Sequence, residues 1–553
     1  MTVKMEMRDE RAMKRLTNKA VQQKLLDEGY LETFGFRGIP MLRALEKGKE
    51  IGISAERRVS EKGNEYDVLY YSSEAQRTLL DMIKEGYTPP TPGAGARVSF
   101  NHPIKRGDTT MQNYTREAIL RMAEEEDVEF IRLQFTDMFG TLKNIAIPSS
   151  KLEKAMDNRC VIDASSIGGF IRNEEADMYL HPDLSTFTIL PWRPQQGKVA
   201  RFICDIYQED GTPYKESPRF ILSRVAAKAA EMGYSLRVNP ECEFFLFHTD
   251  DNGMPTTTTH EKAGYMDLSP VDLGENARRD MVLTLEEMGY EIESSHHEIA
   301  PGQHEIDFRF SDAPETADKV MTFKVAVRTI AKRHGLHATF MPKPKAGVNG
   351  SGMHVNMYLM KDGKNIFSDP ADELGLSGQG YSFLAGIFAH IKGMTALCNP
   401  LVNSYKRLAP GFEAPSDITW SSRQRTALVR VHTQRDEGAR LELRSPDSSS
   451  NPYLIFALCL AAGLDGMERN LQAPKELKEN IRNFSREEKE SAGIDTLPEN
   501  LSEALEEFDQ DPLVRAVLGE TFTKCYVKAK RKEWESYMEQ VSEWEIEQYL
   551  YRV

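Results

Sequence analysis

Four short segments place charged, amide or imidazole side chains at every second residue, with mainly apolar residues between them. In NPECEFFLF, Glu241 and Glu243 alternate with Cys242, Phe244 and Leu246. In PGQHEIDFRF, Gln303, Glu305, Asp307 and Arg309 alternate with His304, Ile306 and Phe308. GSGMHVNMYL sets His354, Asn356 and Tyr358 against Val355, Met357 and Leu359, and ARLELRSPD sets Arg440, Glu442 and Arg444 against Leu441 and Leu443. Residues two apart on a strand share a face, so each segment predicts a strand with one polar side. One such strand is ordinary in a solvated antiparallel sheet. Four of them, flanked by Gly, Pro and Asn in PEC, APGQ and VNGSG, fit a place where backbone approaches a ligand.

Carboxylates with a single imidazole and no cysteine pattern form a hard donor set, suited to Mg²⁺ or Mn²⁺ rather than structural zinc. His296-His297-Glu298 lacks the HExxH spacing of a zinc protease. Arg407, Arg425, Arg430, Arg435, Arg440 and Arg444 crowd into one stretch. Guanidinium forks match carboxylate and phosphate oxygens, so metal-type carboxylates beside arginines imply polyphosphate chemistry. No GxxxxGK[ST] is present, which excludes a P-loop enzyme, and GVNGSG at 347–352 is only a weak glycine-rich signal.

These strands need a scaffold, and 553 residues suffice for two or three domains. Helices are expected at Arg219–Met232, Asn276–Glu287, Ala317–His334 and Tyr381–Thr395, with a charged amphipathic helix from Thr521 to Tyr551. Upstream, YTREAILRMAEEEDV predicts a helix capped near Thr115 and Glu117. A hairpin around Phe139-Gly140 and a strand at VARFICDIY complete an α+β unit. Near the N-terminus a helix is expected from Asp9 to Glu28, a strand at Glu65 to Tyr71 and a helix at Ser73 to Gly86. TPPTPGAGAR at 88–97 reads as a linker.

The net charge of −15 disfavours nucleic-acid binding. Residues 1–110 carry 19 basic and 16 acidic side chains, which leaves −18 for the remainder. No apolar run approaches the ~20 residues of a membrane span, and the N-terminus lacks the apolar region of a secretory signal. Cys160, Cys204, Cys242, Cys398, Cys459 and Cys525 show no paired spacing, as expected of reduced thiols in a cytoplasmic protein.

Together with LQFTDMFGTLKN, SSIGGFIRNEEADMYLHPDL, SHHEIAPGQHEIDF, HGLHATFMPKP, NSYKRLAPGFEAP and NPYL, these segments resemble glutamine synthetase of the bacterial type I class over about residues 111–553. The resemblance implies an α+β fold: an extension at 1–87, a linker at 88–110, a β-grasp domain at 111–205 and a catalytic domain at 215–553. The extension is expected to be a small mixed or helical unit outside the catalytic shell. The implied activity is ATP-dependent ligation of ammonia to L-glutamate through γ-glutamyl phosphate, with two or more Mg²⁺ or Mn²⁺ ions. By the same resemblance, Glu243, Glu298 and Glu305 hold the metal beside glutamate, and Glu241, His354 and Glu442 hold the metal on ATP. Asn349, Gly350, Arg407 and Arg444 face glutamate. Glu293, Asn356, Tyr358, Arg425 and Arg430 lie at the nucleotide. Glu413 is a closing flap, and Asp163 of a neighbouring subunit takes the ammonium proton. Family members are dodecamers of two hexameric rings, with active sites between subunits. Arg172 matches an arginine linked to glutamine feedback in one bacterial subgroup.

The chain departs from the family pattern at Ala164 (DASS for DGSS), at Cys242 (PECEFF for PEPEFF), at Gln424 and Thr426, at Tyr358 and in DSSSNPY. Phe484 stands where some relatives carry a modified tyrosine. Every metal ligand is retained. Two alternatives share the scaffold: a γ-glutamyl-amine ligase acting on methylamine or a polyamine, and a non-catalytic member that binds a regulatory protein.

Overall fold

The computed structural model describes residues 114–553 apart from 168–176, 194–195, 410–412, 433–437, 479–480 and 482–483, together with Leu25 and five strands nearer the N-terminus. The chain divides into two units, Met1–Gly107 and Asp108–Val553. In the first, Leu31–Phe36 pairs with Ile39–Ala44, and Ile53–Val59 pairs with the expected strand, Glu65–Tyr71. The helix expected from Asp9 to Glu28 is interrupted: Lys14–Arg15 pair as a strand with Tyr71 and Tyr70, while Leu25 is helical and buried. Edge pairing satisfies backbone groups there in a way that apolar spacing does not reveal. The helix expected at Ser73 to Gly86 and the linker at 88–97 lie outside the described residues.

The second unit opens with helix Arg116–Glu125, whose cap Thr115 accepts from the Ala118 N–H. It packs on a five-stranded sheet ordered Leu142–Pro148, Val128–Thr136, Lys198–Tyr207, Asp177–Ile189, Cys160–Asp163. The hairpin around Phe139-Gly140 is present.

The elements that carry the chemistry follow in chain order: α1 Pro218–Glu231, β1 Ser235–Cys242, β2 Phe244–His248, α2 Glu275–Glu287, β3 Ile292–His297, β4 Gln303–Phe308, α3 Ala313–Arg333, β5 Met353–Lys361, α4 Gly378–Cys398, β6 Val429–His432, β7 Arg440–Leu443 and α5 Pro452–Glu468. α3 starts four residues before its expected start because its proline falls in the first turn, where a missing N–H costs nothing. In one sheet β1, β5, β7 and β6 are successive neighbours, all antiparallel. In a second, β3, β4 and β2 are neighbours, with Leu336–Thr339 at the edge.

NPECEFFLF is therefore two strands. The chain leaves the first sheet after Cys242 and enters the second at Phe244. Glu243 is the joint, its N–H donating to the Gly352 carbonyl at 3.1 Å.

Behind the sheets, α4 and α5 are apolar on nearly every face and largely buried, as central helices must be. They cross where both are glycine. A Cβ on Gly466 would stand 2.2 Å from the Ser382 carbonyl and 2.6 Å from Gly386 Cα. Polar groups are nonetheless retained: His390 of α4 lies 2.9 Å from Asp511 and 3.1 Å from Asp465. Burial lowers its pKa, but these two carboxylates outweigh that and raise it. The C-terminal helix expected from Thr521 to Tyr551 is two, Glu520–Met538 and Glu543–Tyr549, because Ser542 and Glu545 form a capping box that starts a new helix. All six cysteines are free, five of them buried. Among the described residues no helix is long and apolar enough to cross a membrane.

Candidate active site

Strand register brings the polar residues together. In the first sheet Glu241 of β1 lies opposite His354 of β5, Asn356 of β5 opposite Glu442 of β7, and Glu442 opposite Arg430 of β6. Glu241 Oε2 is 3.1 Å from His354 Nδ1, and Asn356 Nδ2 donates to Glu241 Oε1 at 2.8 Å. Arg440 Nε in turn donates to Asn356 Oδ1 at 3.2 Å. Glu442 receives Arg444 Nη1 and stands 2.8 Å from His432 Nε2.

The second sheet supplies the rest. Glu243 accepts from Gln303 Nε2 at 2.6 Å and from the Gly352 N–H at 2.9 Å. Glu298, just past β3, is 2.9 Å from His296 Nε2. Glu305 points from β4 toward the same imidazole, 3.9 Å away.

These groups line one cavity of about 480 Å³. Glu241, Glu243, Glu298, Glu305, His354 and Glu442 are all in its wall, with Asn349, Gly350, Arg407, Glu413, Arg425, Arg430 and Arg444. Arg407 is buried and donates to the Ser445 and Arg444 carbonyls. Gly350 has no room for a side chain, since a Cβ would sit 2.2 Å from the Pro342 carbonyl.

Several predicted residues stand outside the wall. Asn356 lies behind Glu241, and Tyr358 packs its ring on Phe310. Glu293 is exposed, with Asn239 Nδ2 3.5 Å away. Arg309 falls beyond β4 and pairs with Glu291 on the surface, so it does not share the cavity face of that strand. Asp163 is exposed at the end of its strand and accepts from the Ser165 N–H at 2.9 Å. Ala164 beside it is buried and is not among the residues with positive φ, so the alanine fits this loop without strain. Arg172 and Arg435 lie outside the described residues.

Sequence reasoning missed Tyr265, His296, Ile299 and Ala414 as cavity residues, and His432 as the partner of Glu442, whereas Asp307, read with Glu305 on one polar strand face, is in the wall. The two-residue alternation does connect His296 to Glu298, and Asp307 to Glu305. Tyr265 sits in an irregular loop that carries no such signal.

The electrostatics are those of a divalent-cation site. Burial, then Glu442, push the Glu241 carboxyl up to about 7; burial, then Glu298, push Glu243 up to about 8. Glu305 is held well above its ordinary range by burial and by Asp307, Glu241 and Glu243. For Glu442 burial acts upward, but His432 and Arg444 prevail and hold it below the usual carboxylate range. Mutually repelling buried carboxyls of this kind are relieved by a cation. Donor atoms of Glu241, His354 and Glu442 already lie within 4.8 Å of one another. So do those of His296, Glu305 and Asp307. The oxygen-rich set with one imidazole suits Mg²⁺ or Mn²⁺.

Residues 215–549 match the family model of the glutamine synthetase catalytic domain, and 127–209 match that of the glutamine synthetase β-grasp domain. The chain belongs to the glutamine synthetase family. Among members of this family, a glutamine synthetase of Clostridium saccharobutylicum is 58% identical over 440 residues, 80% of this chain and 99% of the relative. A glutamine synthetase of Staphylococcus aureus strain Mu50 is 51% identical, over 79% of this chain and 99% of the relative. A solved structure described as a GmaS/ADP complex superposes with a TM-score of 0.71 at 33% identity, covering 78% of this chain and 99% of that one. Neither glutamine synthetase family model reaches into residues 1–126.

Proposed function

We infer that the protein is a glutamate–ammonia ligase: it joins ammonia to the γ-carboxylate of L-glutamate at the expense of ATP, by way of γ-glutamyl phosphate. The observation that carries this reading is the convergence of five glutamates and one histidine, from both sheets, in a single arginine-lined cavity.

A carboxylate resists attack by ammonia because its leaving group would be an oxide. Transfer of the ATP γ-phosphoryl group to the γ-carboxylate supplies a better one. Arg425 and Arg430 face the phosphates and offset charge as it shifts during transfer. Arg407 and Arg444 hold glutamate carboxylate oxygens, and Asn349 with Gly350 fixes the substrate's other end. Glu241, His354 and Glu442 would hold one cation, and Glu243, Glu298 and Glu305 a second; Mg²⁺ or Mn²⁺ held there would supply positive charge against the charge that develops in phosphoryl transfer. Glu413 closes the mouth and keeps water from the acyl phosphate. Ammonium is not a nucleophile until it loses a proton, and Asp163 of an adjacent subunit takes it. In this reading the enzyme is a homo-oligomer, a dodecamer of two hexameric rings, working in the cytoplasm.

Glutamine formation dependent on ATP, Mg²⁺ and ammonium tests the reading, with Glu305→Ala as the inactive control. Product formed with methylamine or putrescine and not with ammonium would replace ammonia ligase by amine ligase.

A further inference from the structure

Behind the cavity lies a second polar cluster that the proposed chemistry does not use. Glu261, Asp272, His297 and His304 are all buried, with donor atoms within 4.8 Å of one another. Their hydrogen bonds show that this is not a cation site. Asp272 accepts from the Gly274 N–H and from Arg278, and Arg278 Nη1 also reaches His304 Nδ1 at 2.9 Å. The Arg278 guanidinium already brings a positive charge to two of the four groups, Asp272 and His304.

Glu261 spends its carboxylate on three separate segments. Oε1 lies 2.8 Å from His297 Nε2 and also accepts from the Gly302 N–H, while Oε2 accepts from the Leu273 N–H at 2.9 Å. His297 immediately precedes Glu298 and touches its carbonyl, Nδ1 to O, at 2.6 Å. Gly302 lies in the turn that leads from Glu298 to Glu305, closed by the Glu298 N–H donating to the Gln303 carbonyl at 2.8 Å. Both sides of that turn are therefore tied to one buried oxygen. The loop that carries Glu261 also holds Tyr265 at the cavity wall and Met266, whose N–H donates to the His297 carbonyl at 2.9 Å.

We propose that Glu261 is a positioning residue: from behind, it brackets the turn between Glu298 and Glu305 and sets the relation of these two donors, while touching neither substrate nor cation. The proposal rests on the reading of Glu298 and Glu305 as cation donors. An amide has a single acceptor oxygen: kept toward His297 and Gly302 it sets an N–H against the Leu273 N–H and frees the Glu261 loop, and turned round it sets an N–H against the Gly302 N–H, so one of the three tethers is lost either way. Outer partners of this kind tune metal affinity by about 10- to 100-fold.

The test uses the full chain as parent, Glu261→Gln and Glu261→Ala, with His390→Gln as a buried-network control remote from the cavity. Mn²⁺ binding is measured without substrates, from the electron paramagnetic resonance of free Mn²⁺, and glutamine formation is followed as a function of Mn²⁺ concentration. Both Glu261 variants are expected to bind Mn²⁺ at least ~10-fold more weakly and to need correspondingly more Mn²⁺ for half-maximal rate, with most of kcat recovered at saturation. His390→Gln keeps the parent affinity. Parent-like Mn²⁺ binding in Glu261→Gln, or an equal loss in His390→Gln, overturns the proposal. If Glu261→Ala does not fold, the Glu261→Gln isotherm decides by the same criterion. A parent that binds Mn²⁺ yet forms no glutamine sinks the ligase reading alone, and the isotherms still decide the role of Glu261.

Discussion

Glu241 and His354 face each other across paired antiparallel strands, Oε2 to Nδ1 at 3.1 Å, although 112 residues lie between them in the chain. Burial, and then the nearby Arg444, hold the imidazole's pKa well below the ordinary range and keep it a neutral donor. A carboxylate and a neutral imidazole at this separation can share a cation.

Crowded carboxyls in the cavity trade stability for chemistry. Glu305 is repelled by Asp307, Glu241, Glu243 and Glu298 in a buried setting. Glu305→Gln is expected to lower glutamine formation by at least ~100-fold, because an interaction specific to the charged transition state is lost. The same change should stabilise the metal-free protein at pH 8, by on the order of 1–3 kcal/mol, the scale of an uncompensated buried group. Urea unfolding with and without EDTA checks this. A variant less stable than the parent in EDTA would contradict the account.

The pH dependence of stability follows from the raised carboxyls. Glu241 and Glu243 move from 4.5 to about 7 and about 8 on folding. The folded, metal-free protein thus binds protons more tightly than the unfolded chain, so their contribution is full below the unfolded pKa. It is lost as pH rises from about 4.5 through about 8. Mg²⁺ bound at these carboxyls would replace those protons. Thermal melts should show a larger Mg²⁺-induced rise in Tm at pH 8.5 than at pH 6. His390 titrates with the same sign, and the His390→Gln variant should keep the Mg²⁺-dependent part unchanged.

Asp163 is exposed and absent from the wall of the cavity within its own chain. If a neighbouring subunit supplies it, two inactive variants must complement. Asp163→Asn and Glu305→Ala, co-expressed, should assemble mixed oligomers with about a quarter of parental activity, because random head-to-tail neighbours leave about one site in four intact. Activity no higher than that of the separate variants would place the proton acceptor elsewhere.

The crossing of α4 and α5 tolerates no side chain at Gly466. Gly466→Ala should cost about 1–3 kcal/mol or more, since the clash is with backbone that cannot rotate away. The urea midpoint should fall, while the folded fraction keeps its rate per active site. An unchanged midpoint would mean that the helices slide apart freely.

Most of the site's chemistry was legible in the order of residues. Alternation with period two assigned Glu241, Glu305, His354 and Glu442 to polar strand faces, the crowding of arginines between 407 and 444 pointed to anionic substrates, and the family motifs added Glu298 and the separate roles. Helix interiors were legible from their own 3.6-residue period: α1 begins and ends one residue before its expected bounds, and α2 begins one residue early and ends as expected. Helix breaks were less so: the capping box at Ser542 lies within a run of helix-forming residues.

Period and composition determine which residues share a face, because that depends only on neighbours along the chain. They leave open which strands pair and in what register, and where a strand changes sheet, as at Glu243. They also leave open which loop returns to place Tyr265 at the cavity and Glu261 behind it. Those choices rest on packing between segments far apart in sequence, around a core that exists only once the chain has folded.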